Sequence, residues 1–350
     1  MRPRSDGKLE STSGRVRAFD GLRAVAIGMV VLFHAGMLPG GWLGVDVFFG
    51  LSGYLITRVI CVLWSDGRSS PARRFYQRRA ARLVPASALL LITYTAITLI
   101  AEPDLRHERL ISVSAAATYT YNILAAQRYM VGLGHMWSLS MEEQSYIAWP
   151  LVLAGCLRRH RPVAALTACV LGMVAALTWN ATLIQAGAQT ARVAFGPDTR
   201  VAGLLAGSAV ALLAQHARFK TPTGSSCWIL PPGFLVSYLA LHLSSLDVSS
   251  YYVWPVITAG LAACCLVVLE ADQSGIPARV LALSPFVFVG DISYGLYLWH
   301  LPVLEAFFRG HPAPSWSLIV TAISLSVSIA TASRFLLEKP ILRWASRVCS

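Results

Sequence analysis

FDGLRAVAIGMVVLFHAG, residues 19–36, sets Arg23 and His34 eleven positions apart within one apolar run. Eleven residues make almost three turns of α-helix, so both side chains fall on one face, about 16 Å apart along the axis. In a bilayer an ionisable side chain is costly and marks a functional position by default. The spacing therefore aligns a charge at one membrane surface with a titratable ring deeper in. The plainer alternative is a snorkelling arginine beneath a histidine bonded within a helix bundle.

The rest of the chain supplies that bundle. Of its 350 residues 55% are apolar and 13% charged, with a mean hydropathy of +0.58, which excludes an ordinary soluble enzyme. Uncharged stretches such as 83–101 and 163–191 exceed or approach the roughly 20 residues that a spanning helix needs. The expected fold is an all-α polytopic transmembrane bundle. Its spans are read at 23–38, 42–64, 83–101, 136–157, 163–184, 199–215, 227–243, 251–269, 284–308 and 316–336. A short eleventh candidate, 111–126, is rich in Ala, Thr and Tyr. Leaving it at the outer face puts 23 of the 29 Lys and Arg residues on the side of the N-terminus, whereas letting it cross leaves 17 against 12. The positive-inside rule thus favours ten spans with both ends cytoplasmic. We read 1–22 as a basic cytoplasmic tail, 23–340 as one membrane domain and 341–350 as a second cytoplasmic tail.

In a soluble protein the net charge of +12 would suggest nucleic acid. Here it reads as an orientation signal, so membrane lipid is an expected partner and nucleic acid is not. Cys61, Cys156, Cys169, Cys227, Cys264, Cys265 and Cys349 form no C-x-x-C pair. No disulfide framework and no metal site are expected.

Polar motifs punctuate the apolar segments. RRFYQRRAARLVP, residues 73–85, interleaves five arginines with Phe75 and Tyr76. On a helix Arg79 and Arg82 share a face that could grip phosphates with forked guanidinium bonds, or else rest on anionic lipid. GWLGVDVFFGLSGYLI, residues 41–56, carries Asp46 and Ser52 among small residues suited to close helix packing. Asp46 lies one short turn beyond His34 and is an expected partner for it. GHMWSLSMEEQSYIAWP, residues 134–150, holds Glu142 and Glu143, of which at most one is expected to face inward. PDTR, residues 197–200, brings Asp198 and Arg200, and DISYGLYLWHLP, residues 291–302, brings His300. In this topology His34, Asp46, Glu142, Asp198, Arg200 and His300 lie in the outer half and the arginine cluster at the inner surface.

These motifs, with EKP at 338–340, occur in an order that resembles acyltransferase family three over nearly the whole chain. These are integral membrane proteins that move acetyl or other short acyl groups to hydroxyls of sugars and related acceptors. The resemblance implies acyl-coenzyme A, acetyl above all, as donor. It points to Arg23 and His34 as the R-x10-H pair, Ser52 as the serine of SGY, Arg79 and Arg82 as R-x-x-R, and Glu142 as the acid of WSLxxE. Gly50 and Ser145 depart from the pattern, which usually has an aliphatic residue and Phe there. Many members also carry an appended extracytoplasmic hydrolase-like domain, which these 350 residues do not show.

From this follows an expected mechanism in a bacterial inner membrane. His34 is the general base, oriented by Asp46 or Glu142, and Arg23, Arg79 and Arg82 hold coenzyme A. Ser52, Asp198, Arg200 and His300 are assigned to substrate or the oxyanion. The acceptor would be a glycan, a lipid-linked sugar or a glycosylated small molecule. A transporter or flippase of a lipid-linked sugar is the rival class, because buried polar groups also suit a substrate pathway.

Overall fold

The computed structural model describes residues 16–65, 71–127, 131–158, 162–216, 250–311 and 313–348. The expected span 227–243 lies outside them. Every described element is helical. The longer helices are α1 (Arg17–His34), α2 (Gly44–Ser65), α3 (Pro71–Ala101), α4 (Arg106–Ala117) and, after the short α5 (Tyr121–Ala126), α6 (Met136–Arg158) and α7 (Pro162–Gln185). The short α8 (Thr190–Phe195) leads to α9 (Pro197–His216) and α10 (Ser250–Ala271), and the short α11 (Ile276–Leu281) to α12 (Ser284–Phe308) and α13 (Trp316–Ala332). A π-helical turn over Ser333–Glu338 then runs into α14 (Lys339–Val348).

Six helical stretches among the described residues are long and apolar enough to cross a membrane: 39–64, 75–101, 163–185, 253–271, 284–308 and 316–345. Helices α1, α6 and α9 occupy three further expected spans, where inward polar side chains dilute the apolar character. The ambiguous segment 111–126 falls across α4 and α5, which are broken at Tyr119, a residue in the left-handed region at φ 53°. With 12 and 6 residues, they are about 18 and 9 Å long, too short to cross a hydrocarbon core of about 30 Å. Pro85, Pro150, Pro255 and Pro302 lie inside α3, α6, α10 and α12.

Helix α2 is the hub, packed against α9 and α10 on one side and against α1, α3 and α6 on others. Helix α1 packs on α12, which packs in turn on α13. The contact of α2 with α9 is backbone against backbone. A methyl group on Gly53 would collide with the carbonyl of Leu204, and one on Gly207 with that of Gly50. Small residues serve this purpose in membranes, where no hydrophobic force draws helices together and close van der Waals contact must do so. Phe49 and Tyr54, both buried, flank the crossing.

Gly207→Ala is therefore expected to lower the thermal midpoint of the detergent-solubilised protein by several degrees, an overpacking cost of about 1–3 kcal/mol. Gly155→Ala, where nothing lies within 4 Å of the new methyl group, is expected to leave it unchanged. Fluorescence-detected thermal unfolding of both variants checks the pair.

Candidate active site

A cavity of about 430 Å³ opens between α1, α2, α3, α6 and α12, and its lining includes Arg23, Ser52, Arg79, Arg82, Glu142 and Tyr146. Apolar side chains such as Phe48, Leu51 and Leu55 from α2 form much of the remaining wall. The helical rows predicted from sequence explain this meeting. Arg79 and Arg82 are three apart on α3, while Glu142 and Tyr146 are four apart on α6.

The three arginines differ in how their charge is met. Arg23 donates to Asp20 across one helical turn at 3.0 Å. Arg79 donates two hydrogen bonds to Glu143, at 2.6 and 3.3 Å, and its guanidinium lies 3.1 Å from the centre of the Tyr146 ring. Arg82 makes no ion pair among the described residues, and its charged surroundings include the guanidinium groups of Arg23, Arg79 and Arg334. Its side chain is exposed to the interior of the cavity that it lines. An unmatched cation ringed by cations in a concave site has the electrostatics of an anion site, and forked guanidinium groups suit phosphate.

Deeper in the same cavity, Ser52 donates its hydroxyl proton to Glu142 at 3.0 Å. With that proton engaged, Ser52 has lone pairs but no hydrogen to offer an oxyanion. A serine hydroxyl directed at a carboxylate is instead the arrangement of a nucleophile beside a base. The two adjacent acids divide between neighbouring helices, as the 100° step per residue requires. Glu142 turns to α2 and lines the cavity, whereas Glu143 turns to α3. Glu142 thus stands in the same cavity as the arginines, not with His34 in a separate outer half.

The histidines form a cluster behind the cavity. His300 is fully buried and its Nδ1–H donates to the carbonyl of Tyr297 at 2.7 Å, which leaves Nε2 as an acceptor. His34 Nδ1–H is shared between the carbonyl of Val30 at 3.0 Å and His300 Nε2 at 3.2 Å. The lone pair of neutral His34 therefore sits on Nε2. His135 Nε2–H donates to the carbonyl of Leu298 at 3.1 Å, and its buried Nδ1 has no partner. His34 itself does not line the cavity. Tyr297 and Ser138 do, with their hydroxyls 2.5 Å apart, and the Tyr297 ring lies 5.5 Å from both His135 and His300. Tyr297 and Ser138, with His135 and His300 behind them, stand between the arginine-lined cavity and the half-buried His34.

The expected contact between Asp46 and His34 is not made. Asp46 is fully buried and accepts from Arg200 at 2.7 Å, while that guanidinium lies 5.4 Å from the Trp137 ring and 5.9 Å from Phe49. Asp46 turns across α2 towards α9, away from the α1 face that carries His34, and the pair locks those two helices together. Asp198 stays at the start of α9, where it accepts from Arg192 at 2.8 and 2.5 Å and from Trp179 Nε1 at 2.6 Å. Partial burial pushes its carboxyl up, and these donors outweigh that and hold it below the usual carboxylate range. Neither Asp198, Arg200 nor His300 lines the cavity.

Residues 16–333 match the acyltransferase-domain family. The chain belongs to acyltransferase family three. It is 29% identical over 307 residues to the peptidoglycan O-acetyltransferase OatA of Listeria monocytogenes, covering 83% of this chain and 49% of that protein. It is 27% identical over 340 residues to the O-acetyltransferase OatA of Staphylococcus aureus, covering 92% of this chain and 56% of that one. The chain spans about half the length of these curated relatives. No solved structure matches it.

In this member of the family, four residues around the site were not singled out from sequence. Tyr146 and Tyr297 read as interfacial or core aromatics until they prove to wall the cavity. Asp291 opens the DISYGLYLWHLP motif and accepts from Arg334 at 2.9 Å and pairs with Lys339 at 3.0 Å. Glu338 accepts from Ser333 at 3.2 Å and Arg334 at 3.3 Å across the π-helical turn. Glu338 of the EKP motif thereby pairs with Arg334, while Asp291 holds Arg334 and Lys339; Arg82 makes no ion pair among the described residues and is attracted at longer range by Glu142 and Glu338. Among the described residues no group of His, Cys, Asp and Glu is placed to hold a metal ion.

Removing one member of a buried ion pair strands its partner at a cost of about 3–5 kcal/mol. Asp46→Asn is accordingly expected to lower the thermal midpoint sharply, and Asp46→Leu combined with Arg200→Leu to recover most of the loss. A displaced pH–rate profile with an unchanged midpoint would instead make Asp46 a partner of the base. Thermal unfolding and pH-dependent turnover of the same preparations distinguish the two.

Proposed function

We propose that this chain transfers an acyl group, acetyl first, from cytosolic acyl-coenzyme A to a hydroxyl of a cell-envelope glycan on the other side of the membrane. The observation that carries this reading is Arg82, a cation that makes no ion pair among the described residues, inside a cavity that also holds Arg23, Arg79 and the Ser52–Glu142 pair. Its need is for an anion, and the phosphates of coenzyme A meet it. The glycan acceptor is supported by the relatives, two of which carry O-acetyltransferase names and one of which is named for peptidoglycan.

The chain's own residues divide the work. Arg82, with Arg23 and Arg79, holds the donor phosphates at the cytosolic end, so that the thioester reaches the level of Ser52 and Glu142. From the opposite side His34 Nε2 takes the proton of the acceptor hydroxyl while its oxygen attacks the thioester carbonyl. The tetrahedral intermediate then collapses, the carbon–sulfur bond breaks and the thiolate leaves. A positioned base of this kind contributes about 10² to 10⁴ in rate. His34 is oriented by the Val30 carbonyl and by His300 and has no carboxylate beside it, so the imidazolium is stabilised by neutral acceptors. Tyr297 swings aside to join the two compartments, and in its resting place it keeps water from the thioester.

Purified protein in lipid nanodiscs, supplied with acetyl-coenzyme A and peptidoglycan fragments, is expected to release free thiol and to acetylate the glycan. His34→Gln should reduce turnover at least a hundredfold with little change in donor KM. Arg82→Ala should raise donor KM at least tenfold. Wild-type turnover in His34→Gln would remove the base assignment, and transport of a glycan without thiol release would favour the flippase.

A further inference from the structure

A second cavity, of about 260 Å³, lies between α2, α6, α7 and α9, and its lining includes Ile56, Ser145, Tyr146, Trp149, Ala168 and Leu205. Nothing charged lines it. Two of its polar side chains are engaged elsewhere. Ser208 donates to the carbonyls of Gly53 at 3.2 Å and Leu204 at 3.0 Å, and Trp149 Nε1 donates to Thr57 at 2.8 Å. What remains is a slot walled mainly by apolar side chains, with the Ser145 hydroxyl at its α6 side.

The position of the slot gives it meaning. Ile56 and Tyr146 line both cavities, so one layer of side chain separates the slot from the arginine-lined site. Each stands one helical turn beyond a polar residue of that site, Ile56 after Ser52 on α2 and Tyr146 after Glu142 on α6. A group presented at the Ser52–Glu142 pair thus has the slot directly behind it.

From this juxtaposition we infer that the second cavity receives the alkyl tail of an acyl donor longer than acetyl, and so extends the donor range of the enzyme. The inference rests on the acyl-coenzyme A reading above. A cavity of roughly 150 Å³ admits a six-carbon ring, so this one accommodates a saturated chain of about six to eight carbons. Each methylene lodged there adds roughly fourfold to binding, the increment for moving one CH₂ out of water. Ser145 sets the depth of the slot from α6 and Ala168 from α7, and both are small enough to leave it open.

The experiment compares kcat/KM for acetyl-, butanoyl-, hexanoyl- and octanoyl-coenzyme A with the nanodisc-embedded full chain, read as thiol release with the glycan acceptor. Hexanoyl-coenzyme A is expected within tenfold of acetyl-coenzyme A or better. Ser145→Phe and Ala168→Phe, which fill the slot from opposite walls, should each cut hexanoyl transfer at least tenfold and leave acetyl transfer within twofold. A wild-type preference for acetyl over every longer donor by more than tenfold overturns the inference, and needs no variant to fold. So does an unchanged chain-length profile in the folded variants. Loss of a co-purifying phospholipid from the variants, with that profile unchanged, assigns the slot to a membrane lipid tail instead. If no thioester is consumed at all, the donor reading itself fails and takes this inference with it.

Discussion

A guanidinium group without a counter-ion, held inside an apolar bundle, constrains everything around it. Arg82 is tolerable only because Asp20, Glu143, Asp291 and Glu338 absorb the charges of Arg23, Arg79, Arg334 and Lys339 near it. None of those acids forms an ion pair with Arg82 among the described residues, and Glu338 and Glu142 attract it only at longer range, so the site still favours an anion. Bundle stability and ligand affinity therefore pull in opposite directions at this residue. The arrangement spends just enough acid to keep the neighbourhood folded and leaves one unit of charge unmet.

That electrostatic asymmetry has a steric counterpart. The half-buried His34 does not line the arginine-lined cavity, and the Tyr297–Ser138 pair on the intervening wall is buried and hydrogen-bonded. A thioester held beside an open base would meet water as readily as a sugar. On the reading proposed above, a closed partition would protect the donor from water, and opening it only with an acceptor in place would tie transfer to the presence of a partner hydroxyl. The neutral tautomers of His34 and His300 suit such a buried layer, since neither ring needs a charge to complete its hydrogen bonds.

What the sequence made legible follows from what one helix can report about itself. Apolar length located the helices, and three- or four-residue spacing placed Arg79 with Arg82 on one face. Rotation of one helix against another is not encoded locally. Asp46 stands twelve positions after His34 and was the natural partner by proximity, yet it faces Arg200, 154 positions further on. The link from His34 to His300 crosses 266 positions. Glu142 was assigned to the outer half by counting from the end of its span, but α3 and α6 bring it level with the arginines. The break at Tyr119 escaped notice because Thr-Tyr-Thr carries no glycine or proline to announce a left-handed residue.

The same helical geometry ties chemistry to selectivity. On α2 the glycines that let α10 and α9 approach, Gly50 and Gly53 respectively, bracket Ser52, so the serine is fixed by backbone contacts that leave it little freedom. Ile56 follows on the same helix face and Tyr146 faces it from α6, so the wall behind the reacting group is as rigidly placed as the group itself. On the reading proposed above, a tail reaches the slot when the Ile56 side chain turns on its fixed backbone, and the length that fits is then set by the small residues behind it, Ser145 and Ala168. On that reading, reaction type and chain length would be set by separate layers of one packed unit.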